Sequence, residues 1–327
     1  MEKIIKSILS VIIISTILLL VFTTCRKETK PPSVQTFEVE SITHSSATSG
    51  GEIVEHGGEF VSARGVCWST NQYPTISDYR TRDQNGIGKF YSCLSDLEPN
   101  TTYYIRAYAT NNAGTGYGAI YRFITKQPGA DQQGDSITDF DGNRYKTVWI
   151  GGKLWMAENL RTTHYNDGTP IPNITDDLEW QNTSTGAYCW YENDYEQFGS
   201  KYGALYNWNA VNTAKLCPVG WHVPSISDWT ELTCYVGGEK RAGGRLMAPN
   251  GWAIYGSWDD EYQFSALPGG YRPSSGFQDK GDKGHWWSNN EHDNTLALSK
   301  YIDYYSPDFP TVRSKKQSGK SIRCVKD

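Results

Sequence analysis

The sequence predicts a multidomain chain, an all-β sandwich followed by a domain that mixes short strands with helix. Three observations carry this. Residues 33–126 run as short alternating apolar and polar segments separated by turn-formers. A polar stretch, KQPGADQQGDS from Lys126 to Ser136, then interrupts the pattern, and we read 127–136 as an interdomain linker. Beyond it, residues 137–327 hold eleven of the twelve tryptophans, along with hairpin signals and one clear helix opening.

The bulk properties agree. A length of 327 residues fits two globular domains. A composition of 38% hydrophobic and 13% aromatic residues is enough for packed cores and excludes a disordered chain. High Trp and Tyr, low Met and 32 glycines favour strands and tight turns over helix bundles. The net charge of -5 argues against nucleic-acid binding. Basic residues do cluster between Arg313 and Lys326, but hydroxyl residues and Gly dilute the run, which reads as a solvated hairpin.

The N-terminus reads as an address. Lys3 and Lys6 precede an apolar run, Ile8–Phe22, that is shorter than the ~20 residues a spanning helix needs. Thr23, Thr24 and Cys25 follow. This order resembles the signal peptide and lipobox of bacterial lipoproteins, with Phe22 and Thr24 departing from the usual Leu and Gly or Ala. The resemblance implies a signal peptide over 1–24 and a lipid-modified Cys25. It also implies an envelope location held by acyl chains, at the outer membrane on its surface or periplasmic face. Residues 25–32 read as a tether.

In the first domain, strands are expected at Phe37–Ile42, Ala47–Val54, Val61–Trp68, Lys89–Leu94, Thr102–Thr110 and Ala119–Thr125, with a loop at Asn71–Ser77. In the fifth, Tyr103, Ile105, Ala107 and Ala109 share one face while Tyr104, Arg106, Tyr108 and Thr110 share the other. Leu97, Pro99, Thr101 and Tyr103 resemble the entry to strand F of fibronectin type III domains, where the Tyr hydroxyl bonds back to nearby backbone. No catalytic constellation occurs here, and the domain reads as a spacer.

The second domain opens on Asp139-Phe140-Asp141-Gly142-Asn143. The Gly falls at the fourth position and Ile150 at the twelfth, so the cluster is a turn and not a calcium loop. Tyr202–Val211 reads as a short helix. In LCPVGWHVPSISDWTEL, Leu216–Leu232, a short strand around Trp221–Val223 ends at Pro224. A helix then starts with Ser225 or Ser227 as its cap and stops at Gly237-Gly238.

The segments KTVWIGGKLWMAENL, YNDGTPIPN, TGAYCWYEND, YGALYNW, LCPVGWHVPSISDWTEL, FSALPGGYR, GHWWSNNE and SIRCVKD occur in this order. Together they resemble the Fibrobacter succinogenes major paralogous domain, a family of secreted and lipoprotein modules. The GWHVPS-helix unit and the late WWS…C pattern are also similar to the C-type-lectin-like fold, which includes the formylglycine-generating enzyme group. The resulting fold class is an all-β fibronectin III/Ig-like sandwich followed by an α+β C-type-lectin-like domain. The lectin-like topology implies a disulfide between Cys217 and Cys324, closing a loop of about 107 residues and stabilising by ~4 kcal/mol. Cys67, Cys93, Cys189 and Cys234 are left without a fixed pairing; Cys67–Cys93 and Cys189–Cys234 are the pairs considered, the first against two buried free thiols.

No HExxH, CxxC or P-loop occurs, and His222 stands without a nucleophile at a usable spacing. The carboxylates of Asp259, Asp260, Glu261 and Glu291 read as loop charge more readily than as a glycosidase pair. No cofactor or metal is expected, because the Glu-Pro-Asn calcium motif of lectins is missing from residues 137–327 and Trp287–Glu291 matches its companion only loosely. The expected function is non-catalytic binding of a glycan or surface protein, with Trp252, Trp258, Tyr271, Trp286 and Trp287 as candidate contact rings. The alternatives are a structural or assembly component of the envelope and, after it, an enzyme related to the formylglycine-generating group.

Overall fold

The computed structural model describes residues 29–83, 85–127, 133–253 and 260–327. Cys25 and Trp258 lie outside the described residues.

Two sheets make the first domain. One holds β1 (Ser33–Thr36), β2 (Ala47–Glu55) and β5 (Gly88–Leu94) in the order β1-β2-β5. The other holds β3 (Ala63–Ser69), β4 (Tyr79–Arg80), β6 (Thr102–Asn111) and β7 (Gly114–Tyr117) in the order β4-β3-β6-β7, with β8 (Tyr121–Ile124) also on β6. Three strands thus face five, with β7 and β8 both paired to β6, in a fibronectin type III-like sandwich. Val66, Phe90, Leu94, Ile105 and Ala107 fill the space between the sheets. Tyr103 faces inward as the alternation requires, and its hydroxyl accepts the Glu98 N–H at 3.0 Å.

The first strand departs from expectation. Phe37–Ile42 has only a bridge from Glu40 to Thr48, and the edge strand lies earlier, at β1. There Val34 pairs with Ile53 and Thr36 with Gly51, and Thr36 Oγ1 accepts the Ala107 N–H at 3.0 Å. That cross-sheet bond is available to Thr36 and not to the residues of the expected strand.

The second domain begins with β9 (Gln133–Thr138), inside the stretch read as linker, because β9 has a partner in β10 (Arg144–Ile150). With β11 (Lys153–Met156), β14 (Trp221–His222) and β20 (Val325–Lys326) these form a sheet of order β14-β20-β11-β10-β9. The C-terminus is thereby threaded between two early strands. A small pair, β12 (Tyr188–Cys189) and β13 (Leu205–Tyr206), lies apart. The other large sheet, ordered β16-β15-β17-β18-β19, is built from β15 (Gly269–Tyr271), β16 (Gln278–Lys280), β17 (Lys283–Glu291), β18 (Leu296–Asp303) and β19 (Thr311–Lys315).

Among the described residues the α-helices of four residues or more are α1 (Asp177–Asn182), α2 (Trp208–Val211), α3 (Ile226–Tyr235) and α4 (Glu239–Leu246). The helix expected over 202–211 shrinks to α2, because Leu205 and Tyr206 are taken as strand β13 and Asn207 caps what remains. At α3 the cap is Ser225, whose side chain accepts the Asp228 N–H while Asp228 accepts the Ser225 N–H, a full capping box.

Tryptophan N–H groups knit these irregular pieces. Trp287 Nε1 donates to Tyr206 O at 2.8 Å, Trp208 Nε1 to Ser288 O at 3.1 Å and Trp286 Nε1 to Asn159 Oδ1 at 2.9 Å. Each indole buries a large apolar area and satisfies one acceptor on a different segment. Arg323, wholly buried, does the same with a guanidinium. It donates to Asn159 Oδ1 at 2.8 Å, Ser265 O at 2.8 Å, Met156 O at 3.3 Å and Phe264 O.

Candidate functional site

The structure divides the five candidate rings. Trp286 and Trp287 are fully buried and Trp252 nearly so, all three inside the hydrophobic cores. A ring with no exposed face cannot stack a sugar, so these three are corrected to core residues. Tyr271 alone of the described candidates lies at the surface, half-buried.

Around Tyr271 the large sheet assembles a row of rings that sequence reasoning missed. On β17 the alternation puts Lys283, His285 and Trp287 on one face. The register sets His285 opposite Tyr301 and Lys283 opposite Asp303 on β18. Across β15, β17 and β18 the rings then run Tyr271, His285, Tyr301, with centroids 4.6 Å and 5.8 Å apart. Gly270 makes this approach feasible: its φ is +65°, and a Cβ there would stand 2.4 Å from Gln278 O. Around the row lie polar groups. Tyr271 Oη meets Gln278 Oε1 at 3.1 Å, Lys283 Nζ stands 3.3 Å from Asp303, and Asp279 reaches the His285 edge. Tyr305, beyond the end of β18, is 76% exposed.

Beneath the row the charges are unusual. His285 Nε2 stands 3.2 Å from Asp279 Oδ2, and its Nδ1 3.4 Å from Lys320 Nζ. Burial, then the charge of Lys320, drives the His285 pKa down to about 4, so the ring is neutral at physiological pH. A neutral ring satisfies both contacts if Nε2–H donates to Asp279 and Nδ1 accepts from Lys320. Lys320 lies under the rings of Tyr271 and Trp287, at 4.9 and 5.4 Å, and burial pushes its pKa down to about 7. Arg323 has four oxygen acceptors, and Arg272 has Ile174 O, Thr175 O and Asp177, whereas Lys320 has one ring nitrogen. The signal for this cluster was the period-2 spacing in KGHWW; its assembly needed the β17–β18 register.

The other singled-out residues are held structurally. His222 Nδ1 meets Asp327 at 2.6 Å and its Nε2 meets Asp228 at 3.2 Å, tying the C-terminus to the start of α3. Despite burial, bonds from Lys153 and Ser225 hold the Asp228 carboxyl down at about 2. Asp139 accepts from Asn143 and Tyr145, and Asp141 accepts from Thr162 and Thr163, so both carboxylates of the opening turn brace its neighbours. Asp260 is bonded by Ser265, Glu261 stands near Arg245, and Glu291 is paired with Lys316. Among the described residues no group of three or more His, Cys, Asp or Glu side chains is placed to hold a metal ion. Nor is any helix among them long and apolar enough to cross a membrane.

One disulfide is the expected Cys217–Cys324 pair and the other is not among the pairs considered. Cys217 and Cys324 are bonded, with S–S at 2.05 Å, beside the β14–β20 pair. Cys93 of the sandwich is bonded to Cys234 in the last turn of α3, while Cys67 and Cys189 are free and buried. Neither Cys67–Cys93 nor Cys189–Cys234 forms, because each buried thiol faces its own domain's core.

No curated protein matches the chain. Among solved structures, the sensor domain of the anti-sigma factor RsgI4 of Pseudobacteroides cellulosolvens matches at 15% identity, covering 30% of this chain and 98% of that one, with a TM-score of 0.23. The sixth fibronectin type III domain of human fibronectin type III domain containing protein 3 matches at 22% identity over 32% of this chain and 91% of that one, with a TM-score of 0.24. The chicken CNTN1 FN1–FN3 domains match at 20% identity over 30% and 33%, with a TM-score of 0.25. The profile of the Fibrobacter succinogenes major domain matches residues 148–326, which is more than half of the sequence. The chain belongs to the Fibrobacter succinogenes major domain family.

Proposed function

We propose that this is a non-catalytic cell-envelope lipoprotein in which a fibronectin-like spacer presents a lectin-like module, and that the module binds glycan on the Tyr271–His285–Tyr301 row. The observation that carries the reading is the row itself. Two half-exposed tyrosines flank a neutral imidazole on a sheet face, with carboxylates and an ammonium at the rim. Flat rings offer apolar faces to the C–H side of a sugar, and rim groups bond its hydroxyls. The lectin-like assignment is supported by the Cys217–Cys324 bond beside the terminal strands and by the strand-to-helix unit at Ser225. A non-catalytic role is supported by the burial of His285 and Lys320, which are 8% and 2% exposed. Lipid attachment at Cys25 rests on the sequence.

A glycan array with the mature full chain tests this. We expect hits that fall at least about tenfold in Tyr301→Ala and Tyr271→Ala, matching the loss of one stacking contact. An array without hits, combined with recovery of a stable envelope complex, sinks the glycan reading in favour of an assembly role. Mass spectrometry of the mature N-terminus tests the anchor: any unmodified N-terminus other than Cys25 removes it.

A further inference from the structure

We infer that the Cys93–Cys234 bond is a reducible lock between the two domains, opened by a dithiol. It joins β5 of the sandwich to the last turn of α3, across a sequence separation of 141 residues. Beside it, α3 packs against β2, and among the described residues two side-chain contacts cross the boundary. Arg241 and Asp96 meet at 3.1 Å, but both side chains are more than half exposed, so water screens the pair. His44 meets the edge of Tyr235 with ring centroids 5.6 Å apart. The intervening chain from Lys126 to Gln133 can span up to about 25 Å, which leaves the domains free to separate once the bond is cut.

The lock is also reachable. Cys93 is half-buried, whereas Cys217 and Cys324 are 2% and 0% exposed. Cavities of about 310 and 610 Å³ open between the domains, and Cys93 lines both. Glu40 and Tyr91 face Thr230 in the first; Arg64 and Phe90 face Lys240 in the second. Thiol–disulfide exchange requires in-line access to a sulfur. The half-buried Cys93 is therefore attacked first, since Cys234 is only 1% exposed. One thiolate of the dithiol bonds to it, the Cys93–Cys234 bond breaks, and Cys234 leaves as thiolate and takes up a proton. The second thiol then attacks the reductant's sulfur in the mixed disulfide and releases Cys93, which is protonated in turn. The reductant departs as a cyclic disulfide; two electrons and two protons have passed to the protein. The two thiols left behind release the sandwich from α3 while the buried Cys217–Cys324 bond keeps the second domain closed.

The test is graded reduction of the native full chain with dithiothreitol, read by alkylation and peptide mass spectrometry, with X-ray scattering in parallel. We expect Cys93 and Cys234 to be labelled together at least about tenfold faster than Cys217 and Cys324, as access dictates. The radius of gyration should rise as they open. A Cys93→Ser chain should scatter like the reduced wild type before any reductant is added, and Cys234→Ser should repeat this if Cys93→Ser misfolds. Labelling of Cys93 and Cys234 without reductant, earlier opening of Cys217–Cys324, or an unchanged radius of gyration after the Cys93–Cys234 bond opens would each overturn the lock.

Discussion

The two domains solve the burial of polar backbone in different ways. The sandwich pairs its backbone in long ladders: β3 and β6 stay in register from Ala63–Thr110 to Ser69–Tyr104, and β2 and β5 from Ala47–Leu94 to Ile53–Gly88. Its core is then a simple set of inward residues. The second domain has short strands and long loops, and its loop carbonyls are met by side chains. Buried Arg323, Arg272 and Lys300, together with the indoles of Trp208, Trp229, Trp286 and Trp287, donate to oxygens on other segments. A domain of the first kind tolerates loss of single side chains; one of the second kind loses several bonds at once.

Arg323→Met should break the comparison most visibly. It leaves Asn159, Met156, Phe264 and Ser265 short of a donor, and removing one partner of a buried charged network costs about 3–5 kcal/mol. Tryptophan fluorescence, dominated by the second domain, should unfold at much lower denaturant; an unchanged midpoint would refute the role given to Arg323.

Next in size is a pH effect confined to the second domain. Lys320 has a folded pKa of about 7 against 10.5 for a free lysine, because burial disfavours its charged form. The unfolded chain therefore binds more protons between these values, and stability rises with pH there and is lost as pH falls towards 7. His285, at about 4 against 6.5, takes a further share as pH falls below 6.5. Between about pH 7 and 9 the rise should be no more than ~4 kcal/mol. Lys320→Met should flatten its lower part; Lys300, pushed down to about 8 by burial, keeps the upper part. Denaturation midpoints that fall with pH over this range in the wild type would contradict the sign.

In the sandwich, Tyr103→Phe removes one acceptor from the Glu98 N–H, and we expect a loss of about 1–2 kcal/mol with no change in the second domain's transition. The smallest effect belongs to Arg241→Ala. Its exposed pair with Asp96 should be worth under about 0.5 kcal/mol, and a larger loss in thermal melting would mean the domain contact does more than the bond geometry implies.

The legibility of each domain follows from the same contrast. Alternation in TTYYIRAYATN placed β6 to within one residue and set Tyr103 inward, because a strand's period is local. The capping box at Ser225 and Asp228 was equally local. The expected strand at Phe37–Ile42 failed because an edge strand's position depends on a distant donor, the Ala107 N–H that Thr36 Oγ1 accepts, and not on its own pattern. The candidate rings failed for a similar reason. Trp286 and Trp287 look like surface aromatics beside Ser288 and Asn289, yet β17 is covered on both faces along that length. Tyr301 and Lys320, nineteen residues apart in sequence, meet at His285 only through strand pairing and the C-terminal return.

By itself the sequence determined the domain order, the sandwich's strand alternation, the start of α3 and the family, since each rests on contiguous residues or ordered motifs. Tertiary structure alone decided which rings are free, which lysine is short of partners and that Cys93 meets Cys234. Cys93 and Cys234 are 141 residues apart and carry no local sign of each other. Pairing of that kind is set by how two folded surfaces come together, and a one-dimensional pattern does not encode it.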